Sequence, residues 1–393
     1  MTSPLDAVAG FHLRAIKAGI KVSGNWDLGL IYADAPAACA GIFTQNRAAA
    51  APVLLDRAAL KKNRGRARAV LVNAGCANAC TGETGMNRAR ACAAQVAAGL
   101  SCPPEAVLLC STGIIGQQLD PRVMKDGIKR LLAGEGGAGA DFTQAIMTTD
   151  TREKVAAVTL KNGARIAGVC KGSGMIAPQM ATMLGFVLTD AKIAPQKLQT
   201  ALQAAAAASF NLVSVDGDTS TNDTLLALAS GAARDGEITG KNYAEFYAGL
   251  LAVCKSLAEQ IARDGEGATK LVRVVVKGAK NAAAARSAAR RVGESPLVKT
   301  AMFGNDPNWG RIICALGNSD AHLAPEKTTI ALCGKTLFKN GAPQKFDAAA
   351  LSAKMKAPEV AINIDLGQGA AATEFLTCDF SYDYVKINAD YHT

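Results

Sequence analysis

The chain has 393 residues, 49% of them hydrophobic and only 5% aromatic, so it is long enough for two core-bearing layers or domains built on Ala, Val, Leu and Ile rather than on rings. No stretch approaches the ~20 uninterrupted apolar residues of a membrane helix, and residues 1–24 lack the basic start, apolar run and small-residue cleavage site of a secretory leader, so a soluble, cytoplasmic protein is expected. The net charge of +10 is spread along the chain, with short basic clusters only at Lys61–Arg68 and Arg286–Arg291 and no interleaved aromatics, which argues against nucleic acid as a partner and is compatible with an anionic small-molecule substrate.

In chain order, residues 67–73 read as a buried strand, residues 87–100 as an Ala-rich helix and residues 106–111 as a second strand ending in Thr112-Gly113. Asp120 offers an N-cap with Pro121 in the first helical position, and that helix runs to about Ala133. The following Gly134–Gly139 run matches GxGxxG in form, but it follows a helix where a dinucleotide fingerprint must follow a strand, so it reads as a loop. Residues 154–160 and 164–170 form a predicted hairpin around Asn162-Gly163. Beyond it come a strand to about Leu188, helices near 195–209 and 243–263, and strands near 270–277, 328–333, 359–364 and 372–378. Hairpins interspersed with paired helices predict a layered α/β (mixed α+β) architecture rather than a strict βαβ repeat.

The eleven cysteines are odd in number and without CxxC pairs, and several, such as Cys110, Cys314 and Cys333, stand in apolar settings, which predicts reduced core thiols. Cys76 and Cys80 have no further ligand cluster, and the histidines number three (His12, His322, His392), so neither a metal site nor a histidine triad is expected. Residues 216–223 resemble a calcium loop at its first and third positions, but Thr221 replaces the required Gly and Ala227 the closing Glu, leaving a structural turn network. Arg263-Asp264-Gly265, taken alone, reads as a helix end.

Residues 171–184, Lys-Gly-Ser-Gly-Met-Ile-Ala-Pro-Gln-Met-Ala-Thr-Met-Leu, form a glycine-rich bend that delivers the Ala181–Thr182 bond into an apolar, strand-like run. A threonine hydroxyl is a weak nucleophile, but a Thr182 freed as an amino terminus would carry its own base, an α-amine with an ordinary pKa of about 7.7–8.0. An isolated Ala-Thr opening a strand is commonplace, and Lys171 alone reads as a solvated loop lysine, so the rest of the chain decides.

The deciding motifs are Asp27-Leu-Gly-Leu-Ile, Phe43-Thr-Gln-Asn-Arg, Ser111-Thr-Gly-Ile-Ile-Gly, Thr148-Thr-Asp-Thr, the Lys171–Leu184 run, Ser214-Val-Asp-Gly-Asp-Thr-Ser-Thr-Asn-Asp, Arg263-Asp-Gly-Glu-Gly-Ala-Thr-Lys, Asp306-Pro-Asn-Trp-Gly-Arg and the final Ile387-Asn-Ala-Asp-Tyr-His-Thr. In this order, from Gly19 to Thr393, they resemble the ornithine acetyltransferase family, bifunctional glutamate N-acetyltransferases of cyclic arginine biosynthesis. The resemblance implies an N-terminal-nucleophile-type enzyme of its own layered fold. Its precursor cleaves itself between Ala181 and Thr182 into an α chain, 1–181, and a β chain, 182–393, which stay associated, usually as an α2β2 heterotetramer. It implies a ping-pong cycle in which Thr182 takes the acetyl group of N2-acetyl-L-ornithine and passes it to L-glutamate. Thr112 and Gly113 match the oxyanion-hole pair, and Thr148, Lys171, Thr182, Glu266, Asn388 and Thr393 match the substrate contacts. No cofactor is implied, and whether acetyl-CoA serves as a second donor stays open. Lys171 suits an α-carboxylate and Glu266 a cationic amine.

Three positions depart from the family pattern: Cys76 and Gln179 each replace an asparagine, and His392 replaces an arginine. None is a proposed catalytic group. The competing readings are a self-processing amidase or aminopeptidase that discharges its acyl-enzyme to water, and a basic, non-enzymatic binding protein with an intact chain.

Overall fold

The computed structural model describes residues 3–177, 183–234 and 237–390. The chain divides into two compact units, the first comprising residues up to Asn211 together with Asp218–Gln260, the second comprising Leu212–Gly217 and the residues from Ile261 onward. Each is a mixed α/β layer structure, as expected from the interspersed hairpins and helices.

The first unit holds a sheet of β1 (Phe11–Ile16), β2 (Leu28–Phe43), β3 (Arg66–Cys76), β4 (Val107–Ile114), β5 (Lys154–Thr159), β6 (Arg165–Lys171), β7 (Leu184–Thr189) and β8 (Thr224–Ala229). Its order is β4-β3-β2-β8-β7-β6-β5, with β1 also paired to β2. The pleat sends successive side chains of β3 to opposite faces. Val70 and Val72 join a core with Leu108, Phe142, Val169, Phe186 and Leu226, while Ala69 and Leu71 join another with Ala89, Val96, Leu109, Met124 and Ile128. Both faces are therefore covered, which is why β3 and β8 read as continuous apolar runs. The helix Pro121–Leu132 starts as its cap requires, with the Asp120 carboxylate accepting from Arg122 N at 2.7 Å. Gly134–Gly139 lies between that helix and another, Gly139–Ile146, so no strand precedes it.

The second unit holds β9 (Leu271–Ala279), β10 (Thr329–Leu332), β11 (Lys335–Lys339), β12 (Ala342–Pro343), β13 (Glu359–Asp365) and β14 (Ala371–Cys378) in the order β12-β11-β10-β13-β9-β14. Its core packs Val272, Val274 and Val276 of β9 against Ala285, Ala289 and Val292 of the helix Ala282–Gly293. The eleven cysteines are unpaired thiols. Cys110 is buried as expected, whereas Cys314 is exposed and Cys333 half-buried, in the turn between β10 and β11. For Cys314 the apolar neighbours in sequence lie on the other side of its helix, where Ile312, Ala315 and Leu316 are buried.

Two features fix the strand ends. Gly113 sits in a bulge of the parallel β3–β4 pair with φ of +126°, and a Cβ there would fall 2.3 Å from the carbonyl carbon of Gly75. The β5–β6 hairpin is tied to the next turn by Asp150, which is buried, accepts from Lys154 Nζ at 2.7 Å and from Gly172 N at 2.6 Å, and lies in the field of Lys171. Burial pushes the Asp150 carboxyl up, but the two ammonium groups and these hydrogen bonds outweigh it and hold the group below the usual carboxylate range.

Gly113→Ala therefore meets both a forbidden φ and a backbone clash, and it should lower the unfolding free energy by ~2–4 kcal/mol in urea titrations. Asp150→Asn removes the negative charge from beside the buried Lys154 and Lys171 ammonium groups and should cost about 3–5 kcal/mol at neutral pH. Because the folded pKa of Asp150 is depressed, its contribution is complete above the ordinary carboxylate pKa of about 4 and is lost as pH falls through the folded value. The stability gap between wild type and Asp150→Asn should accordingly be widest near neutrality and close in acid.

Candidate active site

In the first unit, Asp27 is completely buried, and its carboxylate accepts from the backbone N–H groups of Ala18, Gly19, Ile20 and Lys21 at 2.6 to 3.0 Å. Four donors on one carboxylate pin the 18–21 loop so closely that the Ile20 carbonyl lies 3.1 Å from where a Gly75 Cβ would stand. Gly75 pairs with Gly113 in the neighbouring strand. A bulge leaves its extra residue outside the ladder, and here the bulge falls at Thr112–Gly113, the sequence-predicted oxyanion pair.

Lys171 is the last residue of β6 and only 4% exposed, which corrects its isolated reading as a solvated loop lysine. It pairs with Leu184 of β7, and its Nζ donates to Thr112 Oγ1 at 3.4 Å. Thus two predicted site residues 59 positions apart meet. Thr148 belongs to the same network through Asp150, whose Oδ2 accepts from Thr148 N at 3.1 Å. Lys21, which sequence reasoning left out of the site, adds a second cation. Its Nζ donates to the Trp26 carbonyl at 2.6 Å, and burial, opposed by Asp27 and reinforced by Lys171, lowers its pKa to about 8.

The 220–224 segment is the turn network expected from sequence, and it links two parts of the site. Asn222 Nδ2 donates to the carbonyls of Ala77 at 2.7 Å and Ser111 at 2.8 Å, gripping β4 beside Thr112. Asp223 Oδ1 accepts from Met183 N at 3.2 Å, and Thr224 N donates to the Met183 carbonyl at 3.0 Å. Met183 is thereby clamped from both sides at the entry to β7. The sequence signal for this was present in Thr-Asn-Asp immediately before an apolar strand, but nothing in the sequence said which chain segment it would grip.

In the second unit, the two predicted residues Glu266 and Asn388 come together. Asn388, on the helix Tyr382–Asp390, donates to Glu266 Oε2 at 2.9 Å, and Glu266 is 9% exposed. Gly267 allows the approach, since its φ is +67° and a Cβ would fall 2.3 Å from Tyr384 N. Arg263 does end a helix, Tyr243–Arg263, as its isolated reading has it. Ala181, Thr182 and Thr393, together with Gln179 and His392, lie outside the described residues. Among the described residues no group of three His, Cys, Asp or Glu side chains is placed to hold a metal ion, and no helix is long and apolar enough to cross a membrane.

The ArgJ family model matches residues 12–393. The arginine biosynthesis bifunctional protein ArgJ of Lactococcus lactis is 47% identical over 387 residues, spanning 97% of this chain and 96% of that protein. The protein of the same name from Geobacter sulfurreducens is 46% identical over 393 residues, covering 98% of this chain and 100% of its own. Among solved structures, the crystal structure of ArgJ from Bacillus halodurans superimposes with a TM-score of 0.51 at 45% identity, covering 52% of this chain and 98% of the solved one. The match of family model and relatives from end to end places this chain in the ArgJ family.

Proposed function

We propose that the chain is a self-processing glutamate N-acetyltransferase, which moves the acetyl group of N2-acetyl-L-ornithine to L-glutamate through an acetyl-Thr182 intermediate, in arginine biosynthesis. The observation that carries this reading is the buried Lys171 ammonium 3.4 Å from Thr112 Oγ1, at the end of the strand that leads into the Thr182 segment. A substrate carboxylate held by Lys171 would sit beside the hydroxyl and the bulged backbone proposed to receive the oxyanion. The names of the relatives, bifunctional proteins of arginine biosynthesis, support the same chemistry.

In this reading the chain is cut between Ala181 and Thr182 into an α chain, 1–181, and a β chain, 182–393. The connection from Lys171 to Leu184 spans twelve residues between adjacent antiparallel strands, where two to five usually suffice, so a cut there leaves the ladder from Ile166↔Thr189 to Lys171↔Leu184 intact. The solved Bacillus halodurans chain, almost wholly covered by about half of this one, supports two polypeptides. Thr182 Oγ attacks the acetyl carbonyl, its freed α-amine takes the proton, and Thr112 with Gly113 receives the negative charge. Thr148 and Lys171 contact the amino-acid portion, and Glu266, Asn388 and Thr393 complete the substrate contacts, with Glu266 toward the cationic side-chain amine. The chains assemble as an α2β2 heterotetramer in the cytoplasm, and acetyl-CoA, if accepted, enters as a second donor to the same threonine.

The test is a single-pot transfer with N2-acetylornithine carrying an isotope-labelled acetyl group. Label is expected in N-acetylglutamate, with parallel lines in double-reciprocal plots; label released as acetate irrespective of glutamate would instead mark a hydrolase. Thr112→Val should lower kcat about 10²-fold, the scale of one lost oxyanion donor. Lys171→Met should lower kcat/KM by roughly 10- to 100-fold for both N-acetylornithine and glutamate, since both present the carboxylate, in contrast to a change confined to one of them.

A further inference from the structure

The helix Tyr382–Asp390, which carries Asn388, buries none of its residues, so no apolar face fixes where it lies. A helix of nine residues is marginal by itself in water, and the placement of this one rests on its first turn. There Tyr382 meets Phe303 edge-on, with 5.4 Å between ring centroids, and Tyr384 stacks on Phe380 at 4.6 Å. Just before the helix stands Ser381, 6% exposed, whose Oγ accepts from Asp383 N at 3.2 Å and so satisfies one of the free donors of the helix start. The same hydroxyl donates to the Gly267 carbonyl at 2.5 Å, and Gly267 directly follows Glu266. The turn beyond Glu266 is held further along by Asp379, which is completely buried and accepts from Thr269 N at 2.9 Å and Lys270 N at 3.1 Å. Asp379 and Ser381 thus grip residues 267–270 from one short segment after β14, and Ser381 holds the helix as well. Asn388 Nδ2 spans from Glu266 Oε2 at 2.9 Å to the Tyr384 carbonyl of its own helix at 3.0 Å, so a shift of helix against turn breaks the pair.

Building on the reading of Glu266 above as the contact for the cationic side-chain amine, we propose that Ser381 is a positioning residue, whose one hydroxyl joins the Glu266 turn to the Asn388 helix and thereby sets the preference for an acetyl donor that ends in an amine. A carboxylate tells a cation from a neutral group well only where it is held in place and partly desolvated, since a mobile, exposed ion pair gains little in water. Asn388 orients the Glu266 carboxylate, and Ser381 keeps Asn388 within reach. Without the hydroxyl, the Gly267 carbonyl and the Asp383 N–H each lose this partner, and turn and helix are free to part. Glu266 then keeps its charge but loses its orientation, so the loss falls on recognition of the amine and not on the acyl-transfer step.

The experiment offers the purified full-length protein two donors at once, N2-acetyl-L-ornithine and an excess of N2-acetyl-L-norvaline, the same chain without the terminal amine, with glutamate as acceptor. The ornithine and norvaline released give the ratio of the two kcat/KM values whatever the amount of active enzyme, so a loss of folded or processed protein alone does not move it. Ser381→Ala is expected to lower the wild-type preference for the ornithine donor roughly 10- to 100-fold, and Glu266→Gln at least as far. Ser381→Thr, which keeps the hydroxyl, is expected to retain the preference. A wild-type ratio in Ser381→Ala, with Glu266→Gln lowered, would overturn the inference and leave the reading of Glu266 standing. A Ser381→Thr variant as indiscriminate as Ser381→Ala would overturn it too, since the hydroxyl would not be the cause. An unchanged ratio in Glu266→Gln would remove the reading of Glu266 and the inference with it. Should Ser381→Ala not fold, Ser381→Cys, with only a weak S–H donor, is judged by the same criteria.

Discussion

The arrangement on which everything else rests is the insertion of β7 and β8 into the middle of the first sheet, between β6 and β2. Those two strands follow Thr182 in the chain and pair with each other, yet their outer hydrogen-bonding partners, β6 and β2, precede it. β7 pairs with β6 from Ile166↔Thr189 to Lys171↔Leu184, and β8 pairs with β2 from Ala38↔Ala229 to Phe43↔Thr224. A cut before Thr182 would therefore divide the covalent chain without dividing the sheet. Dissociation would mean stripping two central strands from their ladders and exposing Phe186, Leu188, Leu226 and Leu228, all buried, to water.

That constraint also explains the concentration of buried charge and glycine around the strand ends. The side chains of Asp150, Lys154 and Lys171 are buried close together, which is tolerable because Asp150 accepts from Lys154 Nζ and Gly172 N and lies in the field of Lys171, itself bonded to Thr112 Oγ1. Gly113 lets the two parallel strands approach to a distance that any Cβ would forbid, and Gly75, at a φ of +111°, admits the Ile20 carbonyl at a separation a Cβ would meet only tightly. The outcome is a rigid frame in which a cation, a hydroxyl and a bulged backbone converge, while Asn222 and Asp223 fix the start of β7 relative to β4. Preorganised polar groups of this kind are what charge development in acyl transfer requires.

Much of this was legible in the sequence where local chemistry is strong. Asp120-Pro121 marked a helix start, Asn162-Gly163 a hairpin, and the long apolar period of residues 243–263 a helix, and each stands where expected. β2 was not legible. It contains Ala-Asp-Ala-Pro-Ala-Ala, a run poor in β-formers, and its register breaks between Tyr32 and Ala37 around Pro36. The helices Ala282–Gly293 and Tyr382–Asp390 were also missed, the first because residues 286–291 were read only as a basic cluster although Ala285, Ala289 and Val292 recur at helical spacing, the second because none of its residues is buried. At the site, residue identity came from motif resemblance, whereas the meeting of Lys171 with Thr112 and of Glu266 with Asn388 depends on strand order and long-range approach that no local pattern encodes.

The central claim is that this chain makes its own nucleophile by cutting itself before Thr182. The most direct measurement is the intact mass of the purified protein beside a Thr182→Ala variant, repeated after brief exposure to N2-acetylornithine. The account predicts two wild-type polypeptides, 1–181 and 182–393, with one acetyl group added to the second, and a single unmodified chain for the variant. A wild-type protein that remains one uncleaved, unacetylated chain would contradict it.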